Sequence, residues 1–166
     1  MNQDIRTFIA LGSNIAPLEQ VSLGLLALSR LPASRLGAVS SWYLSQPWGF
    51  EDQPEFINLV AELWTRLSPQ GLLAELQTIE ERSGRIRTRP NGPRTLDLDL
   101  LLYGDEILDE PGLRIPHSGL LVRDFMLLPL IEIAPDAIHP EEGRPVAKLQ
   151  DRILYHQIIC RIRDRA

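Results

Sequence analysis

This chain has little of the chemistry that cysteine, lysine and histidine bring. Its one cysteine, Cys160, cannot close an internal disulfide. Lys148 is the only lysine, set in Val-Ala-Lys-Leu with no glycine-rich loop ahead of it, which removes both a P-loop lysine and a protein-kinase lysine. The three histidines, at 117, 139 and 156, are too scattered to supply the ligand set of a metal-dependent phosphodiesterase. No apolar run approaches the roughly 20 residues of a membrane span, and the start Met1-Asn-Gln-Asp-Ile-Arg lacks the apolar core of a signal peptide. A cytoplasmic location is therefore expected. Positive charge is also short: the net charge of −5 argues against a general nucleic-acid or membrane-surface binder, including an RNA-binding sheet with basic surroundings. With 166 residues and 44% hydrophobic content, the chain is long enough for one well-buried core and short for two. A single domain over 1–166, working as a monomer, is the expectation.

What is present is concentrated in Gly92-Pro93-Arg94-Thr95-Leu96-Asp97-Leu98-Asp99-Leu100-Leu101. Leucine at every second place predicts a β-strand from Thr95 to Tyr103, and the period of two sets Asp97 and Asp99 together on the face opposite Leu96, Leu98 and Leu100. An amphipathic strand can carry such a pair simply as its wet side. Two anions roughly 7 Å apart on a core strand nevertheless repel and call for a counter-charge, which one or two divalent cations would supply. Oxygen ligands without neighbouring His or Cys favour Mg²⁺ or Mn²⁺ over zinc. Upstream lies a cationic loop: Arg82, Arg85, Arg87, Arg89 and Arg94, with no acid between Glu81 and Asp97, broken by Gly84, Pro90, Gly92 and Pro93. Guanidinium groups delivered beside a diacid strand suit a polyphosphate substrate, with arginine for the oxygens and Mg²⁺ to bridge them.

The remaining patterning predicts an α+β domain without repeats. Ile5 to Leu11 reads as a strand, and a helix follows from about Pro17 with Leu18, Val21, Leu25 and Leu28 as its buried stripe. Residues 35 to 45 read as a second strand, 46 to 54 as a loop and Phe56 to Thr65 as a third strand. Ser68-Pro69 is an N-cap and first-turn proline for a helix to about Arg82, with Leu72, Leu73, Leu76 and Ile79 facing inward. This βαββαβ order predicts a ferredoxin-like antiparallel sheet with helices on one face. Extra C-terminal helices are expected near 124 to 132 and from about 146 to 163.

Several spaced segments, in this order along nearly the whole chain, resemble the 6-hydroxymethyl-7,8-dihydropterin pyrophosphokinase family. They are the Gly92 to Leu101 run, Ala10-Leu-Gly-Ser-Asn14, Asp52-Gln53-Pro54 before Phe56 and Asn58, Gln77 to Glu80 before Gly84-Arg85-Ile86-Arg87, Ile115-Pro116-His117, Phe125-Met126-Leu127 and Glu132-Ile-Ala-Pro135. The resemblance implies an enzyme that moves pyrophosphate from ATP to the pterin alcohol, releasing AMP.

It also implies residue roles. Asp97 and Asp99 would hold two Mg²⁺ ions, and Arg85 and Arg94 match the catalytic arginines. Gln77, Glu80, Arg87, Asn91, Leu100, Arg114, His117 and Arg123 fall at ATP-binding positions. Phe56 and Phe125 match the two rings that stack on the pterin, Asn58 reads its amide-like edge, and Ser45, Gln46 and Trp48 supply further contacts. The chain departs from the family pattern at Phe56, where tyrosine is expected, at Ser45-Gln46 in place of Thr-Pro, at Arg114, and at Asn91 in place of tryptophan. A non-catalytic relative would have lost the acid pair or the arginines, and Asp97, Asp99, Arg85 and Arg94 are all present. The loops 46–54 and 84–93 are expected to close over the ligands.

Overall fold

The computed structural model describes residues 3–49, 52–84 and 95–163. Its elements run β1 (Ile5–Ser13), α1 (Pro17–Ser29), β2 (Ser34–Val39), β3 (Trp42–Ser45), β4 (Phe56–Thr65), α2 (Pro69–Arg82), β5 (Asp97–Tyr103), β6 (Leu108–Glu110), β7 (Leu113–Ile115), α3 (Asp124–Ile133), β8 (Ile138–His139), β9 (Arg144–Pro145) and β10 (Ile158–Arg163). The main sheet has the order β10-β3-β4-β1-β5 with β2 also beside β4, and every pairing in it is antiparallel. The hairpins β6-β7 and β8-β9 stand outside it.

Local signals account for the best-defined elements. Ser68 caps α2 by accepting the Gly71 N–H, Pro69 opens the first turn, and Leu72, Leu76 and Ile79 are buried. In α1, Val21 and Leu28 are buried as the spacing predicts, whereas Leu18 is half exposed and Gly24 takes the inward position.

Two cores lie on opposite faces of the sheet. Ile9, Leu11, Leu59, Leu63, Leu96, Leu98 and Leu100 pack with α1 and α2 on one side, and Phe8, Ala10, Val60, Leu101 and Leu102 pack with α3 on the other. Each leucine withdrawn from water contributes about 1.5–3 kcal/mol. The two helices of the βαββαβ order, α1 and α2, thus share one face as expected, and the additional helix α3 carries its own apolar surface, Phe125 to Leu130, to the far side. The alternation in β5 holds from Leu96 to Leu100, and a bulge in the pairing with Phe8 and Ile9 then turns both Leu101 and Leu102 toward α3.

Two further expectations are corrected. The strand expected over 35–45 is divided at Ser40 and Ser41, because the Ser41 N–H donates to the Glu132 carboxylate in α3 (2.9 Å) and leaves the ladder, while Ser40 Oγ accepts the Val60 N–H (3.0 Å). Burial alone would raise the Glu132 carboxyl, and the hydrogen bonds from Tyr43 and Ser41 outweigh it, so its pKa lies below the ordinary value. The helix expected over 146–163 is also absent. Two single 3₁₀ turns, Val146–Lys148 and Gln150–Arg152, are followed by extended chain and β10. The reason is tertiary: the buried Asp124 carboxylate accepts the N–H groups of Gln157 and Ile158 at 3.0 Å each, and the run Ile158-Ile159-Cys160 then pairs with the edge of β3.

Candidate active site

The site grows from the register of three adjacent strands. Gly12 of β1 lies opposite Asn58 of β4 on one side and Asp97 of β5 on the other, and Ala10 lies between Val60 and Asp99. Because the central strand offers only a glycine and an alanine here, the sheet has a shallow floor flanked by an amide and two carboxylates. A Cβ at Gly12 would come within 2.6 Å of Asn58 Oδ1, so no other residue leaves the amide where it is. The Asn58 Nδ2 donates to Ser45 Oγ, which fixes which edge of the amide faces the pocket.

Walls rise from segments far apart in sequence. The cavity above the floor is lined by Gln46 and Trp48 after β3, Phe56 and Asn58 of β4, Asp97 and Asp99 of β5, His117 after β7, and Arg123, Phe125 and Met126 around the start of α3. Asn14 at the end of β1 donates to Gln53 Oε1 (2.9 Å) and to the Pro54 carbonyl (3.0 Å), holding the chain that leads into Phe56. The Arg123 guanidinium carbon stands 4.3 Å from the Trp48 ring centroid.

A second groove adjoins this cavity. It is lined by Leu73 of α2, by Leu98, Asp99 and Leu100 of β5, by Glu110, Gly112, Leu113 and Arg114 at the β6-β7 hairpin, and by His117 and Ser118. Asp99 and His117 belong to both, so the acid strand sits where an aromatic-walled pocket meets a leucine-lined groove that carries Glu110 and Arg114.

His117 is held firmly at this junction. Its N–H donates to the Leu101 carbonyl (3.0 Å), and its Nδ1 accepts the Gly119 N–H (3.0 Å). Burial, reinforced by the nearby Arg123 charge and only partly offset by Asp97, lowers its pKa to about 4. The ring is therefore neutral near pH 7, and with Nδ1 accepting, the proton sits on Nε2, 3.8 Å from Asp99 Oδ1.

The residues singled out from the sequence are thus distributed unevenly. Gln46, Trp48, Phe56, Asn58, Asp97, Asp99, His117, Arg123 and Phe125 converge on the cavity, with Ser45 buried beneath Asn58. Leu100 and Arg114 line the groove, and Arg114 Nη2 also bonds Glu141 (3.0 Å). Gln77 lies on the exposed side of α2. Glu80 is buried, and its Oε2 accepts the Leu98 N–H at 2.9 Å, which ties α2 to β5 between the two aspartates. Arg85, Arg87, Asn91 and Arg94 lie outside the described residues. Gly12, Met126 and Tyr155 were not given roles from sequence. The strand expected to end at Leu11 runs on to Ser13, and only this places Gly12 inside a strand, where a glycine marks close approach; the Tyr155 ring, 4.5 Å from that of Trp48, has no local signal.

Comparison with known proteins shows the family. The family model described as 7,8-dihydro-6-hydroxymethylpterin-pyrophosphokinase matches residues 8–135. The chain is 50% identical over 145 residues to a Pseudomonas aeruginosa protein named 2-amino-4-hydroxy-6-hydroxymethyldihydropteridine pyrophosphokinase, covering 87% of this chain and 89% of that one. It is 46% identical over 156 residues to the Haemophilus influenzae protein of the same name, covering 93% and 97%. Among solved structures, wild-type Plasmodium falciparum HPPK-DHPS superposes with a TM-score of 0.67 at 14% identity, covering 92% of this chain and 45% of that one, a likeness of fold alone. The present chain spans less than half of that longer protein. With the family match extending from β1 to the end of α3 and half of 145 aligned residues shared with a relative covered over 89% of its length, this chain belongs to the 7,8-dihydro-6-hydroxymethylpterin-pyrophosphokinase family.

Proposed function

We propose that the cavity and the groove are the pterin and nucleotide halves of one site, with Asp97 and Asp99 between them. The activity that goes with the family is transfer of pyrophosphate from ATP to 6-hydroxymethyl-7,8-dihydropterin in folate biosynthesis. The observation that carries our assignment is the sharing of Asp99 and His117 by the two concavities, since the acceptor alcohol and the triphosphate must meet at one point.

In this reading Phe56 and Phe125 stack on the pterin and Asn58 bonds its edge, with Ser45, Gln46 and Trp48 closing that side. Leu100 lies against the nucleotide base, and Arg114, Arg123 and His117 reach ribose or phosphate, as do Gln77, Glu80, Arg87 and Asn91. Arg85 and Arg94 meet charge that develops on the phosphates. The pterin hydroxymethyl oxygen forms a bond to the β-phosphorus in line with the departing bridge oxygen, and AMP leaves.

Asp97 and Asp99 fit a hard divalent cation. Both are half-buried oxygen donors on one strand face, and among the described residues no third His, Cys, Asp or Glu joins them, which suits ions completing their shells with phosphate and water. We propose two Mg²⁺ ions. Bound there, they would supply neutralisation of the triphosphate charge.

The β1-α1-β2/β3-β4-α2-β5 core is assigned to the ferredoxin-like arrangement, and the chain to one domain, 1–166, that acts as a cytoplasmic monomer. Among the described residues no helix is long and apolar enough to cross a membrane. The test is product analysis: with ATP, Mg²⁺ and the pterin alcohol, AMP should accumulate, and only when the alcohol is present. Asp97→Asn and Asp99→Asn should each abolish it while the ligand-free Tm holds or rises, because an anion is removed from a repelling pair. ADP or free phosphate as the main product would overturn the assignment.

A further inference from the structure

Arg123 and Trp48 reach the cavity from two separate loops, and both loops are fastened to one strip of the C-terminal segment. Leu154 and Tyr155 donate their N–H groups to the Val122 carbonyl at 3.0 and 2.9 Å, and the Tyr155 carbonyl accepts the Asp124 N–H at 3.1 Å. The Asp124 carboxylate holds the N–H groups of Gln157 and Ile158, and the Gln157 carbonyl accepts the Gln46 N–H at 2.8 Å. The backbone under Tyr155 is therefore bonded to the segment carrying Arg123, and two residues on it is bonded to the segment carrying Trp48.

The side chains repeat this connection. The Tyr155 ring meets the Trp48 indole edge-on, with centroids 4.5 Å apart at 78°, and the face of the same indole carries the Arg123 guanidinium at 4.3 Å. Arg123 is also seated against Gly119, where a Cβ would come within 2.6 Å of its Cζ and Nε. A long, rotamer-rich arginine is thus confined between an indole and a bare backbone, and the indole is confined by the tyrosine. Tyr155 itself lines neither the cavity nor the groove.

We propose that Tyr155 is a positioning residue for this site: its ring holds the Trp48 indole, and through it the Arg123 guanidinium, in the ligand-ready place before either substrate arrives. The inference rests on the site assignment above. Its consequence is quantitative, since a site whose competent arrangement is only partly populated binds more weakly by that fraction, while saturating ligand restores it. Loss of the ring should raise KM and spare kcat.

The test uses Tyr155→Leu, which keeps an apolar side chain, and Tyr155→Phe, which keeps the ring. Tyr155→Leu should raise KM for the pterin, for ATP or for both by about 3- to 10-fold, the factor an edge-on aromatic contact carries, with kcat within about twofold. Tyr155→Phe should restore wild-type values. In the ligand-free protein, the indole N–H resonance of Trp48, identified by its loss in Trp48→Phe, should move in Tyr155→Leu and stay in Tyr155→Phe. Unchanged KM values in Tyr155→Leu, an unmoved Trp48 resonance, or failure of Tyr155→Phe to restore either would overturn the proposal. Failure of the wild-type protein to form AMP would instead sink the site assignment, and the ligand-free resonance would still decide whether the stack depends on Tyr155.

Discussion

Acidifying the ligand-free protein should weaken it through His117, by an amount the site geometry sets. The unfolded chain carries an ordinary histidine of pKa about 6.5, whereas burial beside Arg123 lowers the native value to about 4. Between those values the unfolded state binds a proton that the native state refuses, so stability is full above pH 6.5 and falls as the pH drops toward 4. At about 1.4 kcal/mol per pH unit, the window of roughly 2.5 units gives about 3 kcal/mol, reduced somewhat by the fifth of the side chain that water reaches. Urea unfolding of wild type and His117→Gln, in steps from pH 7.5 to 4 without Mg²⁺, isolates this contribution by subtraction. His139, whose pKa is also lowered by burial, acts in both proteins and cancels, as do the Glu62 and Glu132 carboxylates, held below their ordinary value by their hydrogen bonds. A difference curve that is flat between pH 6.5 and 4.5 would refute the reasoning and mean that the imidazole is hydrated or charged in the native state.

Two substitutions probe how the floor and the acid strand are held. Gly12→Ala brings a methyl group within 2.6 Å of Asn58 Oδ1 and should force the amide off Ser45, costing pterin binding about 1–2 kcal/mol while binding of a non-hydrolysable ATP analogue is unchanged. Wild-type pterin affinity, read by equilibrium titration, would remove Asn58 from the recognition scheme. Glu80→Ala leaves the Leu98 N–H without its carboxylate acceptor and should lower the unfolding free energy by about 1–3 kcal/mol, with Glu80→Gln recovering much of it. Weakened ATP binding at unchanged stability would mean that Glu80 acts on the nucleotide alone and is no strut between α2 and β5.

Much of this was legible where the deciding forces are local. The bounds of β4 and α2 follow from an apolar strand run and from Ser68-Pro69, and the shared face of Asp97 and Asp99 follows from the period of two. The misread segments are those in which a distant side chain takes a backbone group. Glu132 removes Ser41 from the ladder across 91 residues, and Asp124 draws the tail into extended chain although Val146, Leu149 and Ile153 keep helical spacing. In the site, Phe56 and Asn58 could be paired from one strand, but His117, Arg123 and Phe125 come from separate segments, and only the family resemblance joined them. Tyr155 was invisible for the same reason, its partner Trp48 lying in another loop.

The row Asn58-Gly12-Asp97 explains why the site depends on sheet register more than on any single side chain. Asn58 and Asp97 face each other across Gly12 because β4 and β5 both pair with β1, at fixed offsets. A slip of one residue in either pairing would turn a whole strand over, sending Asp97 and Asp99, or Phe56 and Asn58, into the core beneath α1 and α2. That core resists the slip, since Leu96, Leu98 and Leu100 alternate with the acids, Ile57 and Leu59 alternate with the pterin-side residues, and all would be driven to the wet face. The leucines that fill the interior therefore also set the spacing of the carboxylates. Substituting them should disturb metal and pterin binding together, whereas a change confined to the floor, such as Gly12→Ala, disturbs the pterin side alone.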